Sequence, residues 1–213
     1  MGQKAMIDQK LPARKFMDLL IQANALRHKD DYHAAVALYR EAVEQYGETA
    51  ELCGMIAQCY LWLVESTYGS AQDDSDFIDW VKKAIASMPN NSRLHVELGE
   101  YYSLVKLDYE QAMQEYRAAL ELNPSDVKAL IGIASLYGVP ENVVTLNEAI
   151  QFLERATHLE SHDPNYLFRL GELYYEAGRS ADAEQAWLSS LLCPQPLDVR
   201  TAQIIETLLQ KAK

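Results

Sequence analysis

Residues 164–194, PNYLFRLGELYYEAGRSADAEQAWLSSLLCP, decide the fold. Leu167, Leu170, Gly171 and Tyr174 fall on one face of a first helix, and Ala183, Trp187 and Ser190 on one face of a second. Between them Glu176-Ala177-Gly178-Arg179 has the composition of a tight turn, and Pro194 ends the unit. Gly171 and Ala183 are small where the two helices must touch, and helix axes approach to about 8–10 Å only over small side chains.

Working outward, weaker copies of this unit fill most of the chain. Leu19, Ala23 and Leu26 followed by Tyr32, Ala35, Tyr39 and Ala42 form one, with a turn at His28–Tyr32 and a stop at Gly47. Ile56, Ala57 and Tyr60 followed by Phe77, Trp80, Val81, Ala84 and Ile85 form another. Leu98, Gly99 and Tyr102 pair with Tyr109, Ala112, Tyr116 and Ala119; Leu130, Ile133, Ala134 and Tyr137 pair with Leu146, Ala149, Leu153 and Ala156. The small residue of the first helix recurs at Ala23, Ala57, Gly99, Ala134 and Gly171, in steps of 34, 42, 35 and 37 residues. That of the second helix recurs at Ala42, Ala84, Ala119, Ala156 and Ser190, in steps of 42, 35, 37 and 34. Two independent series thus carry the same insertions in the same places. The extra residues fall in the polar stretch Thr67–Asp76, in a turn near Val105–Asp108 that is one residue longer than the reference, and in Gly138–Asn142.

This pattern resembles the tetratricopeptide repeat (TPR), a helix-turn-helix of about 34 residues. The resemblance implies an all-α solenoid of helical hairpins, wound as a right-handed superhelix, with five repeats at about 13–48, 49–90, 91–124, 125–162 and 163–196. Residues 1–12 are expected to form a flexible arm, because Pro12 breaks an early helix, and the first helix to start near Ala13. The 67–76 insertion is expected as a loop, with the next helix resuming near Asp76. Residues 197–213 are expected as a capping helix whose Ile204, Ile205, Leu208 and Leu209 cover the last repeat, since the end of a solenoid needs a polar outer face. Tyr39, Tyr116, Tyr174 and Trp187 are expected to fill the gaps between hairpins.

The formal charge of −12 disfavours nucleic acid and anionic lipid, so neither is an expected partner; it suits partners with basic residues, and it keeps a protein soluble. The N-terminal stretch has no apolar run of signal-peptide type, Ala5 and Met6 stand where a myristoylation signal wants Ser or Thr, and no window approaches the length of a membrane span. Cys53, Cys59 and Cys193 lack the C-x-x-C spacing of a zinc or redox site. Scattered cysteines in odd number point to a reducing, cytoplasmic location.

No catalytic, cofactor or metal site is expected. His158 and His162 have helical metal-ligand spacing, but the helix is expected to end between them and no third ligand is evident. Asp73-Asp74-Ser75-Asp76 lacks the glycine of a calcium loop, and Ile85 stands where its bidentate glutamate belongs. Walker, G-x-G-x-x-G and G-x-S-x-G motifs are absent from the sequence.

The resemblance implies a concave groove lined by the first helices, in which a partner's peptide or helix lies. Projected from the register, the lining is Met17, Leu20, Asn24 and Arg27; Gln58, Leu61 and Trp62; Arg93, Val96, Glu100 and Leu104; Lys128, Ile131 and Ser135; and Phe168, Glu172 and Tyr175. Leu20, Trp62, Val96, Leu104, Ile131 and Phe168 would be exposed in a monomer, the signature of an interaction surface. Some family members hold a chaperone's C-terminal carboxylate with lysine, asparagine and arginine. Here Asn24 matches one asparagine, but Leu20 replaces a lysine, Gln58 the second asparagine and Glu97 the arginine, so that clamp is broken. The expected function is a non-enzymatic adaptor or scaffold binding an apolar or amphipathic segment of another protein. The alternative is a structural subunit of a permanent complex or a self-assembling oligomer.

Overall fold

Capped helix starts recur along the chain. Asp31, Asn91, Asp108, Asp126 and Asp163 each accept a hydrogen bond from a backbone N–H of the helix that follows. Thr145 and Glu148 form a reciprocal capping box, with Glu148 accepting from Thr145 N at 2.9 Å and Thr145 Oγ1 accepting from Glu148 N at 3.3 Å. Each such cap contributes about 1 kcal/mol.

The computed structural model describes residues 2–65, 71–159, 163–195 and 197–211. It is all-α, with an isolated bridge between Tyr137 and Val144 in place of any strand among the described residues. The chain divides into two compact units, Met1–Lys106 and Leu107–Lys213. The first holds α1 (Gly2–Arg27), α2 (Tyr32–Tyr46), α3 (Ala50–Glu65), α4 (Ala71–Ser87), α5 (Ser92–Tyr101) and a π-helical turn, Tyr102–Lys106. The second holds α6 (Tyr109–Leu122), α7 (Val127–Ser135), α8 (Leu146–Leu159), α9 (Pro164–Glu176), α10 (Ser180–Leu191) and α11 (Val199–Lys211). Within each unit every helix packs on its sequence neighbours, so α1 lies on α2, α3 on α4, α7 on α8 and α9 on α10.

The small-residue series maps onto the helix contacts. All ten positions are buried: Ala23, Ala57, Gly99, Ala134 and Gly171, and Ala42, Ala84, Ala119, Ala156 and Ser190. A Cβ at residue 171 would overlap the fully buried indole of Trp187 in the same hairpin, and a Cβ at Gly132 would strike the ring of Tyr116 on the preceding helix. The aromatic residues therefore serve both kinds of contact. Tyr116 fills the space between neighbouring hairpins, as expected, while Trp187 fills its own. Ser190 Oγ donates to the Pro164 carbonyl at 2.6 Å, tying the end of α10 to the start of α9.

Two hairpins turn identically. Asp31 N donates to Leu26 O, and Arg179 N to Tyr174 O, around Asp30 (φ 61°) and Gly178 (φ 74°). The extra residue expected near Val105–Asp108 is taken up as the π-helical turn, where one added residue widens the helix, followed by Leu107 at φ 53°.

Three expectations are corrected. The first helix does not start near Ala13, because α1 runs continuously from Gly2 through Pro12. Proline removes one backbone donor, but Gln3, Lys4, Ala5, Met6, Gln9 and Lys10 are good helix formers, and the expected arm is part of α1. The helix after the insertion starts at Ala71 rather than Asp76, since acidic residues suit a helix's first turns; residues 66–70 lie outside the described residues. On α11 only part of the expected covering face is used. Ile205 is buried and Leu208 and Leu209 half-buried against Ala183 and Trp187, whereas Ile204 is exposed.

Gly171→Ala is expected to lower the unfolding free energy by roughly 1–3 kcal/mol in chemical denaturation, because the buried indole has no room to give. Leu107→Gly is expected to raise it by about 1 kcal/mol, because it relieves a left-handed backbone at an exposed side chain.

Candidate functional site

Asn24 and Arg27 project from α1, Gln58 and Trp62 from α3, and Arg93 and Glu97 from α5, all within the first unit. Four of them form a polar ladder across the three helices. Arg27 Nη1 donates to Gln58 Oε1 at 2.8 Å, Gln58 Nε2 to Glu97 Oε1 at 3.2 Å, and Arg93 Nε to the same Glu97 oxygen at 3.0 Å. Glu97 is buried at 7% exposure, so its carboxylate is held by charge-assisted bonds rather than by water. Asn24 is oriented separately, its side-chain oxygen accepting from the Tyr39 hydroxyl at 2.9 Å.

This ladder crosses a cavity of about 360 Å³ lined by Arg27, Glu51, Gly54, Met55, Gln58, Met88, Asn91, Arg93, Leu94 and Glu97. Its lining joins the apolar Gly54, Met55, Met88 and Leu94 to charges of both signs. A second depression of about 480 Å³ shares Arg27 and Gln58 and adds Tyr32 and Trp62. The rings of Tyr32 and Trp62 lie parallel within 5°, with centroids 6.2 Å apart, while Trp62 remains 51% exposed. The Tyr32 hydroxyl donates to Asp30 at 2.8 Å, and that bond raises its pKa and fixes the stack.

The projected groove residues divide accordingly. In the first unit Met17, Trp62, Arg93 and Leu104 are exposed, and Leu20, Asn24, Arg27, Gln58 and Glu100 half-buried. Leu61 and Val96, expected on the groove, are buried instead. Leu61 lies four residues after Ala57 and Val96 three before Gly99, close enough to the contact stripe for an apolar side chain to be drawn into it. In the second unit Lys128, Ser135 and Tyr175 are exposed and Ile131 and Glu172 half-buried, with Glu172 accepting from Arg169 at 3.1 Å. Phe168 is half-buried and packs on the Ala183–Trp187–Ile205 cluster that also receives α11. Glu51, Gly54 and Met55 of the cavity were missed, although the register that yields Arg93 and Val96 before Gly99 also points to Glu51 and Gly54 before Ala57.

The broken clamp acquires a physical form here. Gln58 and Glu97, at two of its positions, are bonded to each other, and the Glu97 carboxylate stands where a cation would be needed.

Burial raises the Cys53 thiol and pushes Cys59 up to about 11, so both are poor nucleophiles at neutral pH. His158 is exposed, and His162 lies outside the described residues. Asp73–Asp76 is helical rather than a loop, and Asp76 faces Arg40 at 3.9 Å. Among the described residues no group of three or more His, Cys, Asp or Glu is placed to hold a metal ion, and no helix is long and apolar enough to cross a membrane. A thiol reagent at mildly alkaline pH is expected to modify the half-buried Cys193 first, and Cys53 and Cys59 only on unfolding. Early labelling of Cys59 would contradict the packing of α3.

Family profiles described as tetratricopeptide repeat match residues 146–198 and 92–126. No curated protein matches the chain by sequence. Among solved structures, the chain is similar to pilF of Pseudomonas aeruginosa, with TM-score 0.70 and 15% identity over 94% of this chain and 90% of that one. It is similar to a thermophilic TPR protein of Thermus thermophilus, with TM-score 0.62 and 20% identity over 92% and 99%. It is also similar to YrrB, described as a TPR protein with an unusual peptide-binding site, with TM-score 0.61 and 18% identity over 97% and 98%.

Proposed function

We propose that this chain, whose residues 92–126 and 146–198 match tetratricopeptide-repeat profiles, is a non-enzymatic adaptor whose first unit binds a segment of another protein, since tetratricopeptide-repeat proteins generally mediate protein–protein interaction. The observation that carries this reading is the cavity spanned by the Arg27–Gln58–Glu97–Arg93 ladder, with Trp62 half exposed in the adjoining depression. Polar donors and acceptors beside apolar side chains suit a peptide, whose backbone is polar and whose side chains alternate in character. The exposed aromatic supplies contact area at low entropic cost. The segment is extended or amphipathic, and the overall negative charge favours basic residues around the point of contact.

A second reading has its own observation. Leu188, Leu191, Leu192, Val199 and Ile204 are all exposed near the C-terminal end of the second unit, with Leu192 at 83% and Val199 at 75%. Such a concentration of uncovered apolar side chains suits a subunit built into a permanent assembly, or one that pairs with its own copy.

Trp62→Glu separates the two readings. On the adaptor reading, affinity capture from native lysate recovers a stoichiometric partner with the wild type and loses it with this variant, while circular dichroism is unchanged. Retention of the partner by Trp62→Glu, together with its loss on Leu192→Glu, would move the permanent-subunit reading ahead.

A further inference from the structure

Gly54 lies in the interior of α3 and lines the 360 Å³ cavity. A glycine there weakens the helix relative to alanine, so it calls for a reason. Two other helical glycines have one, since a Cβ at Gly132 would strike Tyr116 and a Cβ at Gly171 would strike Trp187. Gly54 has neither that reason nor a left-handed backbone. A Cβ built on it meets one atom within 4 Å, Leu94 Cδ2, at an ordinary contact distance of 3.8 Å. Nothing within the fold requires the side chain to be missing.

What the missing side chain does is open the cavity. Met55 and Met88 wall it, and unbranched thioether side chains adapt to the shape of what they touch. Leu94 lies beneath, buried at 3% exposure. Above, Arg27 spends one terminal nitrogen on Gln58 and Arg93 its Nε on Glu97, which leaves further guanidinium donors on both residues at the rim. The buried Glu97 carboxylate fixes where those donors stand.

We infer that the bare surface at Gly54 is a specificity pocket, which admits one large apolar side chain of an extended partner segment while the rim guanidiniums take the carbonyls of its backbone. The inference rests on the adaptor reading and names the feature of the partner that the site selects. An extended strand presents alternate side chains to one surface, so one residue can enter the pocket while its backbone stays at the rim.

The test uses peptides selected from a displayed random library on the full chain, then measured by fluorescence anisotropy against wild type, Gly54→Ala, Gly54→Leu and Trp62→Glu. The expected result is a selected set sharing one leucine-, methionine- or phenylalanine-sized residue. Gly54→Ala should raise the melting temperature and weaken binding several-fold. Gly54→Leu should weaken it at least tenfold, and exchanging the shared apolar residue for serine in the peptide should have the same effect on the wild type. A melting temperature lowered by Gly54→Ala would show the glycine to be structural and overturn the inference. Peptides lost to Trp62→Glu but bound unchanged by Gly54→Leu would overturn it while leaving the groove in place. Peptides unaffected by both variants, or no peptide selected at all, would contradict the groove reading and the inference together.

Discussion

The contact between a large ring and a bare backbone sets the spacing of this fold. Where Trp187 lies against Gly171, and Tyr116 against Gly132, a single methyl group would force the helices apart. Dispersion between ring and backbone falls steeply with separation, so closeness is the source of the stabilisation. The indole nitrogen of Trp187 is buried without a hydrogen-bond acceptor, a cost that the packing of its ring offsets. Alanines at the positions equivalent to Gly171 are buried as well, and each hairpin buries a face that it could not cover alone.

Seen against that constraint, the first unit's polar residues acquire a role. Helices held at a fixed spacing bring Arg27, Gln58, Glu97 and Arg93 into hydrogen-bonding range although they are spread over three elements. The carboxylate of Glu97 is tolerated in the interior because two donors satisfy it. All four residues line the cavity, where Gly54 adds no side chain. Rigidity of this kind suits recognition, because a preformed site spends little of its binding energy on ordering itself.

Much of the fold is legible in the sequence, because the register depends on residue size at fixed spacing. Ala23, Ala57, Gly99, Ala134 and Gly171 can be counted without coordinates, and so can the single added residue that becomes the π-helical turn. What could not be read depends on context outside the pattern. Pro12 marks a break by local rule but is spanned by α1, and residues 71–76 of the polar run are the start of a helix rather than a loop. The candidate site was legible in part. Arg27, Gln58, Trp62 and Arg93 follow from the register, whereas Leu61 and Val96 are drawn inward by neighbours that a projection of a single helix does not contain. The place of Gly54 on the groove follows from the same register, but a missing side chain gains meaning only when the space around it is known.

An NMR titration of the full chain with a selected peptide tests the central claim most directly, through the methyl signals of Met55 and Met88 and the backbone amides of α1, α3 and α5. The account predicts that the methyl groups of both methionines and the amide of Gly54 shift together and saturate at one peptide per chain. Shifts confined to α10 and α11, around Leu192 and Val199, with Met55 and Met88 unmoved, would contradict it.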